Sequence, residues 1–195
     1  MTTPTTIIAI GGNPGSGKTS LVKSIIFEKL ANDPWSHNIK DTEFKLLSYS
    51  HNPNKNLFIL GKYDQTNTFS GTDLLSMAVQ PSVKQWLTSS AAAKGSTIIF
   101  EGDRLFNDSF LSFLYSSLKV NFHIFYLNVP QDILQLRYSL RGSHQNPSFL
   151  KGRITKYNNI INNKSHPYHH LIQIVENNSL EQQQDLVTKI LHLIN

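Results

Sequence analysis

The chain has 195 residues, enough for one domain with a real core that needs no disulfide or structural metal. It has no cysteine, which excludes a disulfide framework, a thiolate zinc site and a cysteine nucleophile. Its formal net charge is +5, its apolar fraction 39% and its charged fraction 16%; aromatic and aliphatic residues recur along the whole chain, which argues against wholesale disorder.

In chain order, residues 5–10 form a β-rich apolar run that ends in Gly11-Gly12 and reads as a buried strand. Residues 19–30 follow with helical spacing (Leu21, Val22, Ile25, Ile26, Leu30), stopped by Asn32-Asp33-Pro34. Two short strands are expected at 44–49 and 57–60, folded as a hairpin about the turn cluster His51-Asn52-Pro53-Asn54. Residues 61–71 read as loop, Thr72 as the N-cap of a helix carrying Leu74, Leu75, Met77 and Ala78, and Pro81 as the start of the next helix, through Trp86 to about residue 93. A buried strand at 97–100, a helix at 110–118, a buried strand at 121–128 and a helix at 131–140 come next. A polar stretch leads to a helix at 150–161, a last strand at 171–175 and an amphipathic helix at 180–193. Strands alternating with helices imply an α/β fold, a parallel sheet of about five strands covered on both faces. Residues 1–195 read as a single domain, with the N-terminal tail and the 143–147 loop as its mobile parts.

No apolar stretch approaches the ~20 residues of a membrane span, and residues 1–4 carry no basic region of a signal peptide. A soluble, cytoplasmic protein without a membrane partner is expected; its oligomeric state is left open. The positive charge is local. Between residues 133 and 170 lie six basic residues (Arg137, Arg141, Lys151, Arg153, Lys156, Lys164) and no acidic one, whereas the rest holds twelve basic and thirteen acidic residues. Such an imbalance suits an anionic partner: nucleotide phosphates, nucleic acid or both.

Gly12-Asn13-Pro14-Gly15-Ser16-Gly17-Lys18-Thr19 matches the pattern G-x-x-x-x-G-K-[ST], between a buried strand and an amphipathic helix. The glycines let backbone N–H groups turn inward as an anion nest, and the helix adds the positive end of its dipole. Lys18 is placed to reach the β- and γ-phosphates of ATP, and the Thr19 hydroxyl to bind Mg²⁺; Ser20 completes the nucleotide-binding set. The strand at 97–100 delivers Glu101 and Asp103 to the carboxyl edge of the sheet, where open α/β sheets bind ligands. A carboxylate there can hold the metal or take a proton from an attacking hydroxyl; it can equally cap the next helix or pair with Arg104. Asp64, after a Gly-Lys-Tyr turn, and Asp73 are further candidates for the base or for gripping an acceptor hydroxyl, though an acid in a first helical turn also has a dipole role. Arg137 and Arg141 lie four apart on one helical face. With Lys151, Arg153 and Lys156 beyond the loop they read as a helix–loop–helix lid at about 137–156, closing cationic charge over the phosphates. His166, His169 and His170 have a Pro between them and no acid nearby in sequence, so they read as a loop rather than a metal site.

The P-loop and the single basic lid make the chain resemble the nucleoside and nucleotide kinases. Three segments narrow the resemblance: Leu60-Gly61-Lys62-Tyr63-Asp64 with Ser70-Gly71-Thr72-Asp73, Glu101-Gly102-Asp103-Arg104-Leu105-Phe106, and Phe149-Leu150-Lys151-Gly152-Arg153-Ile154-Thr155-Lys156. They are similar to small bacteriophage kinases that phosphorylate 5-hydroxymethyluracil in DNA. That resemblance implies a Mg²⁺-dependent ATP phosphotransferase with DNA as partner. It implies Gly12 to Thr19 as the ATP site, Arg153 as a lid residue, and Asp64, Asp73, Glu101, Asp103 and Arg104 as the acceptor-side and metal-side set. A small-molecule nucleoside or nucleotide kinase and a P-loop ATPase without phosphoryl transfer are the alternatives. Ser70-Gly71 departs from the two glycines the resemblance leads one to expect.

Overall fold

The computed structural model describes residues 4–67, 69–142 and 146–194. Of the segments expected to be mobile, residues 1–3 and 143–145 lie outside the described residues. Strand β1 (Thr6–Gly12) is the centre of the sheet, and Ile7, Ile8, Ala9 and Ile10 are wholly buried. It pairs in parallel with β5 (Thr97–Glu101) on one side and β6 (Asn121–Asn128) on the other. Strands β4 (Leu57–Leu60) and β7 (Ile172–Glu176) extend the parallel sheet outward. Beyond β4 come β3 (Ser48–Asn52) and β2 (Ser36–Lys40), both antiparallel, for the order β2-β3-β4-β5-β1-β6-β7.

The alternation of side chains along β1 and its neighbours feeds two cores. On one face Ile8, Ile10, Ile99 and Phe125 pack against Leu21 and Val22 of helix α1 (Lys18–Ser24) and Val187 and Ile190 of helix α6 (Leu180–Leu191). On the other, Ile7, Ala9, Phe100 and Ile124 pack against helices α2 (Val79–Ser89), α3 (Asp108–Ser117) and α5 (Pro147–Asn162) through Trp86, Phe110 and Tyr157. Each of the Ile, Leu, Val and Phe side chains among these, fully buried, stabilises the fold by about 1.5–3 kcal/mol. Helix α4 (Gln131–Leu140) and α5 are the two arms of the expected lid. No described helix is long and apolar enough to cross a membrane.

The expected parallel sheet of about five strands is present, but the full sheet has seven. Strand β2 is polar and largely exposed, with no apolar alternation to mark it. The strand expected at 44–49 lies at 48–52, because the Asp41 carboxylate accepts from the backbone N–H groups of Glu43 (3.0 Å) and Phe44 (2.8 Å) and bends the chain there into a loop. The hairpin with β4 forms nonetheless. Thr72 caps no α-helix. It opens a single 3₁₀ turn, Thr72–Leu74, and its hydroxyl donates to the Leu60 carbonyl (2.6 Å) and accepts from the Glu101 N–H (3.1 Å). Without a helix, Met77 and Leu74 stay exposed. Helix α2 begins two residues before Pro81, which sits in its first turn where a missing N–H breaks no helical bond. Helix α1 ends in a π-helical turn, Ile25–Lys29.

Candidate active site

The glycine loop connects β1 to α1 at the carboxyl edge of the sheet. Pairing of Ile10 with Glu101 brings the end of β5 alongside it, and Gly102 N–H donates to the Ile10 carbonyl (3.2 Å). Lys18 is nearly buried, its Nζ donating to the carbonyls of Gly12 (2.8 Å) and Asn13 (3.1 Å), so its charge is held inside the loop. The Thr19 hydroxyl donates to Glu101 Oε1 at 3.0 Å.

Glu101 is 1% exposed, and its Oε2 is buried without a hydrogen-bond partner. Burial pushes its carboxyl up to about 7, and the nearby Asp73 charge adds to the rise, against the pull of Lys18 and of the Thr19 hydroxyl. Two glycines make the approach: Gly71 (φ 117°) lies against Glu101 Oε1, and a Cβ at Gly102 (φ 78°) would meet Asp73 Oδ2 at 2.5 Å. Both have backbone conformations that side chains rarely adopt. Thr72 ties the two strand ends, and Tyr63, fully buried beside Glu101, has its own hydroxyl unpartnered.

A threonine hydroxyl, a carboxylate with one bare oxygen and a second carboxylate nearby form a hard oxygen donor set that suits Mg²⁺, which usually takes one or two carboxylates and completes its shell with phosphates and water. Among the described residues no cluster of three or more His, Cys, Asp or Glu side chains could hold a metal by itself. The fit is therefore to a metal that arrives with a phosphate ligand.

Asp103 faces the lid. Its carboxylate receives Arg153 Nε (3.0 Å), Lys156 Nζ (3.0 Å) and the Tyr157 hydroxyl (3.0 Å). Burial opposes its ionisation, but Lys156, Arg153 and Tyr157 outweigh it and hold the carboxyl below its ordinary range. Arg153, expected at the phosphates, thus rests on Asp103, with its guanidinium over the Phe149 ring. The Asp73 carboxylate accepts from the Arg104 N–H (3.1 Å), and Arg104 Nε donates to the Leu75 carbonyl (3.0 Å). Asp64 is not brought to this group. Its exposed carboxylate turns back on its own loop, accepting from the Thr66 hydroxyl (2.8 Å) and the N–H groups of Thr66 and Asn67, bonds that lower its pKa.

On the other side of the P-loop the lid makes direct contact. Arg137 donates to the carbonyls of Gly15 (3.2 Å) and Asn177 (2.8 Å), and the Tyr138 hydroxyl to that of Pro14 (2.6 Å). Arg137, Arg141, Ser20, Gly15 and Asn177 line a cavity of about 290 Å³, near the lower end of the size range of small-molecule sites. Two contributors went unseen in the sequence: Asn177, 1% exposed, donates to the Ser16 carbonyl (2.6 Å), and Gln183 to that of Gly17 (3.3 Å). The signal was available, since Asn177 follows β7 at the same sheet edge that singled out Glu101.

A family model, P-loop Nucleotide Kinase3, matches residues 3–192. The chain belongs to the P-loop nucleotide kinases. The fold of this kinase is similar to that of a sugar kinase from Janibacter sp. HTCC2649, at 16% identity over 97% of this chain and 94% of that one, with a TM-score of 0.52. A gluconokinase from Sinorhizobium meliloti 1021 (16% identity, 99% of each chain, TM-score 0.44) and a shikimate kinase from Bacteroides thetaiotaomicron (18%, 96% and 97%, TM-score 0.45) also match. No curated protein sequence matches the kinase significantly. Its family and its P-loop are those of a phosphotransferase.

Proposed function

We propose that this kinase transfers the γ-phosphoryl group of ATP to a hydroxyl, and that the acceptor is the 5-hydroxymethyl group of 5-hydroxymethyluracil in DNA. The observation that carries the transfer reading is the Thr19–Glu101 pair at the mouth of the P-loop, with Asp73 beside it and Lys18 held within reach. The DNA acceptor rests on the three resembling segments and on the acid-free basic run at 133–170.

In this reading the P-loop amides bind the β- and γ-phosphates. Lys18 exchanges its Gly12 and Asn13 carbonyls for phosphate oxygens, and the nucleoside lies in the cavity under Arg137 and Arg141. Mg²⁺, held by Thr19 and Glu101, would neutralise charge on the phosphates and favour in-line displacement. Asp64 turns back on its own loop and Asp103 on Arg153 and Lys156, so Asp73, exposed beside Glu101 with Oδ1 on the Arg104 N–H, is assigned to the incoming hydroxyl. It orients the oxygen and accepts its proton as the new O–P bond forms and the bond to ADP breaks. Arg153 leaves Asp103 for the transferring group when the lid closes, a role that suits an always-charged guanidinium.

The test is transfer of label from γ-phosphate-labelled ATP to three acceptors: DNA containing 5-hydroxymethyluracil, unmodified DNA and free 5-hydroxymethyldeoxyuridine. Label on the first alone is expected. Label on the free nucleoside alone would replace the DNA reading with a small-molecule kinase, and ADP release without labelled acceptor would replace it with an ATPase.

A further inference from the structure

A second, larger cavity of about 820 Å³ lies between the start of α3 and one face of α5. Its floor is a row at helical spacing along α5: Gly152, Thr155, Lys156, Asn159 and, just past the helix, Asn163. Its opposite wall is Asn107, Asp108 and Ser109. That wall is pinned: Asp108 Oδ1 accepts from His166 Nδ1 (2.9 Å), the Tyr168 hydroxyl (2.9 Å) and the Ser112 hydroxyl (3.1 Å), and the His166 ring stacks on Tyr168. Lys156 belongs both to this cavity and to the Asp103 cluster, so the groove runs on from the acceptor side of the transfer centre.

Gly152 has no reason in the fold to be glycine. It lies inside a sixteen-residue α-helix, is not among the residues of positive φ, and a Cβ there would have nothing within 4 Å. Glycine inside a helix is destabilising relative to alanine, and packing gives nothing back here. What the missing side chain provides is open space on the groove floor, where another backbone can approach closely.

We infer that this groove is an extended acceptor subsite that takes the sugar–phosphate flank of a polynucleotide whose modified base enters the transfer centre. The inference rests on the DNA-acceptor reading above and adds where the strand runs. The floor offers the side-chain amides of Asn159 and Asn163 to sugar and phosphate oxygens, with Lys156 held by Asp103 at its edge. Lys151 and Lys164, exposed and next in sequence to Gly152 and Asn163, add positive charge in a run with no acid of its own. The one carboxylate on the wall, Asp108, is turned to His166, Tyr168 and Ser112. A free nucleoside would leave the groove empty.

The experiment is fluorescence anisotropy of fluorescein-labelled single-stranded oligonucleotides of increasing length with a central 5-hydroxymethyluracil, beside thermal melting of the same proteins. Wild-type affinity is expected to rise with length. Gly152→Ala should raise Tm by about 2–4 °C, the return of helix propensity, while weakening the longer oligonucleotides about tenfold or more. Asn159→Asp, which sets a carboxylate on the exposed floor, should weaken them as well. Wild-type affinity independent of length, either variant binding like wild type, or a fall in Tm for Gly152→Ala overturns the groove. Binding needs no turnover, which separates the two readings. Length-dependent binding lost in the variants, with no label reaching DNA, leaves the groove and removes the DNA-kinase reaction. Label transfer without a length effect does the reverse.

Discussion

Burial and the ion-binding role proposed for Glu101 pull its carboxyl in opposite directions. Its ordinary pKa is 4.5 and its value in the folded protein about 7. Between those values the folded chain keeps a proton that the unfolded chain has lost. Glu101 therefore costs stability progressively as pH rises from about 4.5 to about 7, and the cost is constant above. Without nucleotide or metal, the Tm of the wild type should fall over this range more steeply than that of Glu101→Gln, by scanning calorimetry at several pH values. Mg²⁺ prefers the ionised carboxylate, so Mg·ATP binding near neutral pH should release a proton. That release, measured by titration calorimetry in buffers of different ionisation enthalpy, should vanish in Glu101→Gln. On the proposed mechanism Lys18→Ala removes the charge that meets the transferring phosphoryl and should slow transfer on the order of a hundredfold, about 3 kcal/mol in the barrier, in a steady-state assay.

At the scale of elements, α5 is anchored to β5 through one carboxylate. Asp103 holds Arg153, Lys156 and Tyr157 together, partly shielded from water, and hydrogen bonds to a charged group are worth about 1.5–3 kcal/mol each when net. Asp103→Asn should lower Tm by about 4–8 °C, and it should raise KM for the acceptor more than for ATP, because the α4 contacts of Arg137 and Tyr138 with the P-loop survive. Element by element, the fold is legible in the sequence where apolar periodicity is strong. Strand β1 and the α1 face were plain because Ile7 to Ile10 and Leu21, Val22 and Ile25 carry it. Strand β2 was not, since Ser36-His37-Asn38 has none and is held by pairing with β3. The residue type at 103 was visible, but its partners lie about fifty positions away, and no local pattern encodes that contact. Asn177 was equally remote, although its place at a strand end was readable.

For the whole molecule, the charge distribution is what a salt titration would read against the proposed DNA partner. Arg153 and Lys156 are engaged with Asp103, Arg137 with the Gly15 and Asn177 carbonyls, and Arg141 lines the P-loop cavity, so on the proposed reading the exposed Lys151 and Lys164 are the cations of the acid-free run that would meet a backbone. Each duplex phosphate neutralised changes log affinity by about −0.9 per unit log salt. Binding to a 5-hydroxymethyluracil duplex should show about two such contacts, and Lys151→Ala with Lys164→Ala should flatten the slope. A flat wild-type profile would leave the basic run to the nucleotide alone.

The most direct measurement pairs ATP affinity with single-turnover transfer in the wild type and Glu101→Gln. If Thr19, Glu101 and Lys18 form the transfer centre, Glu101→Gln should still bind ATP in the absence of metal and transfer its γ-phosphoryl on the order of a hundredfold more slowly or worse. Transfer by Glu101→Gln at near the wild-type rate would contradict that account.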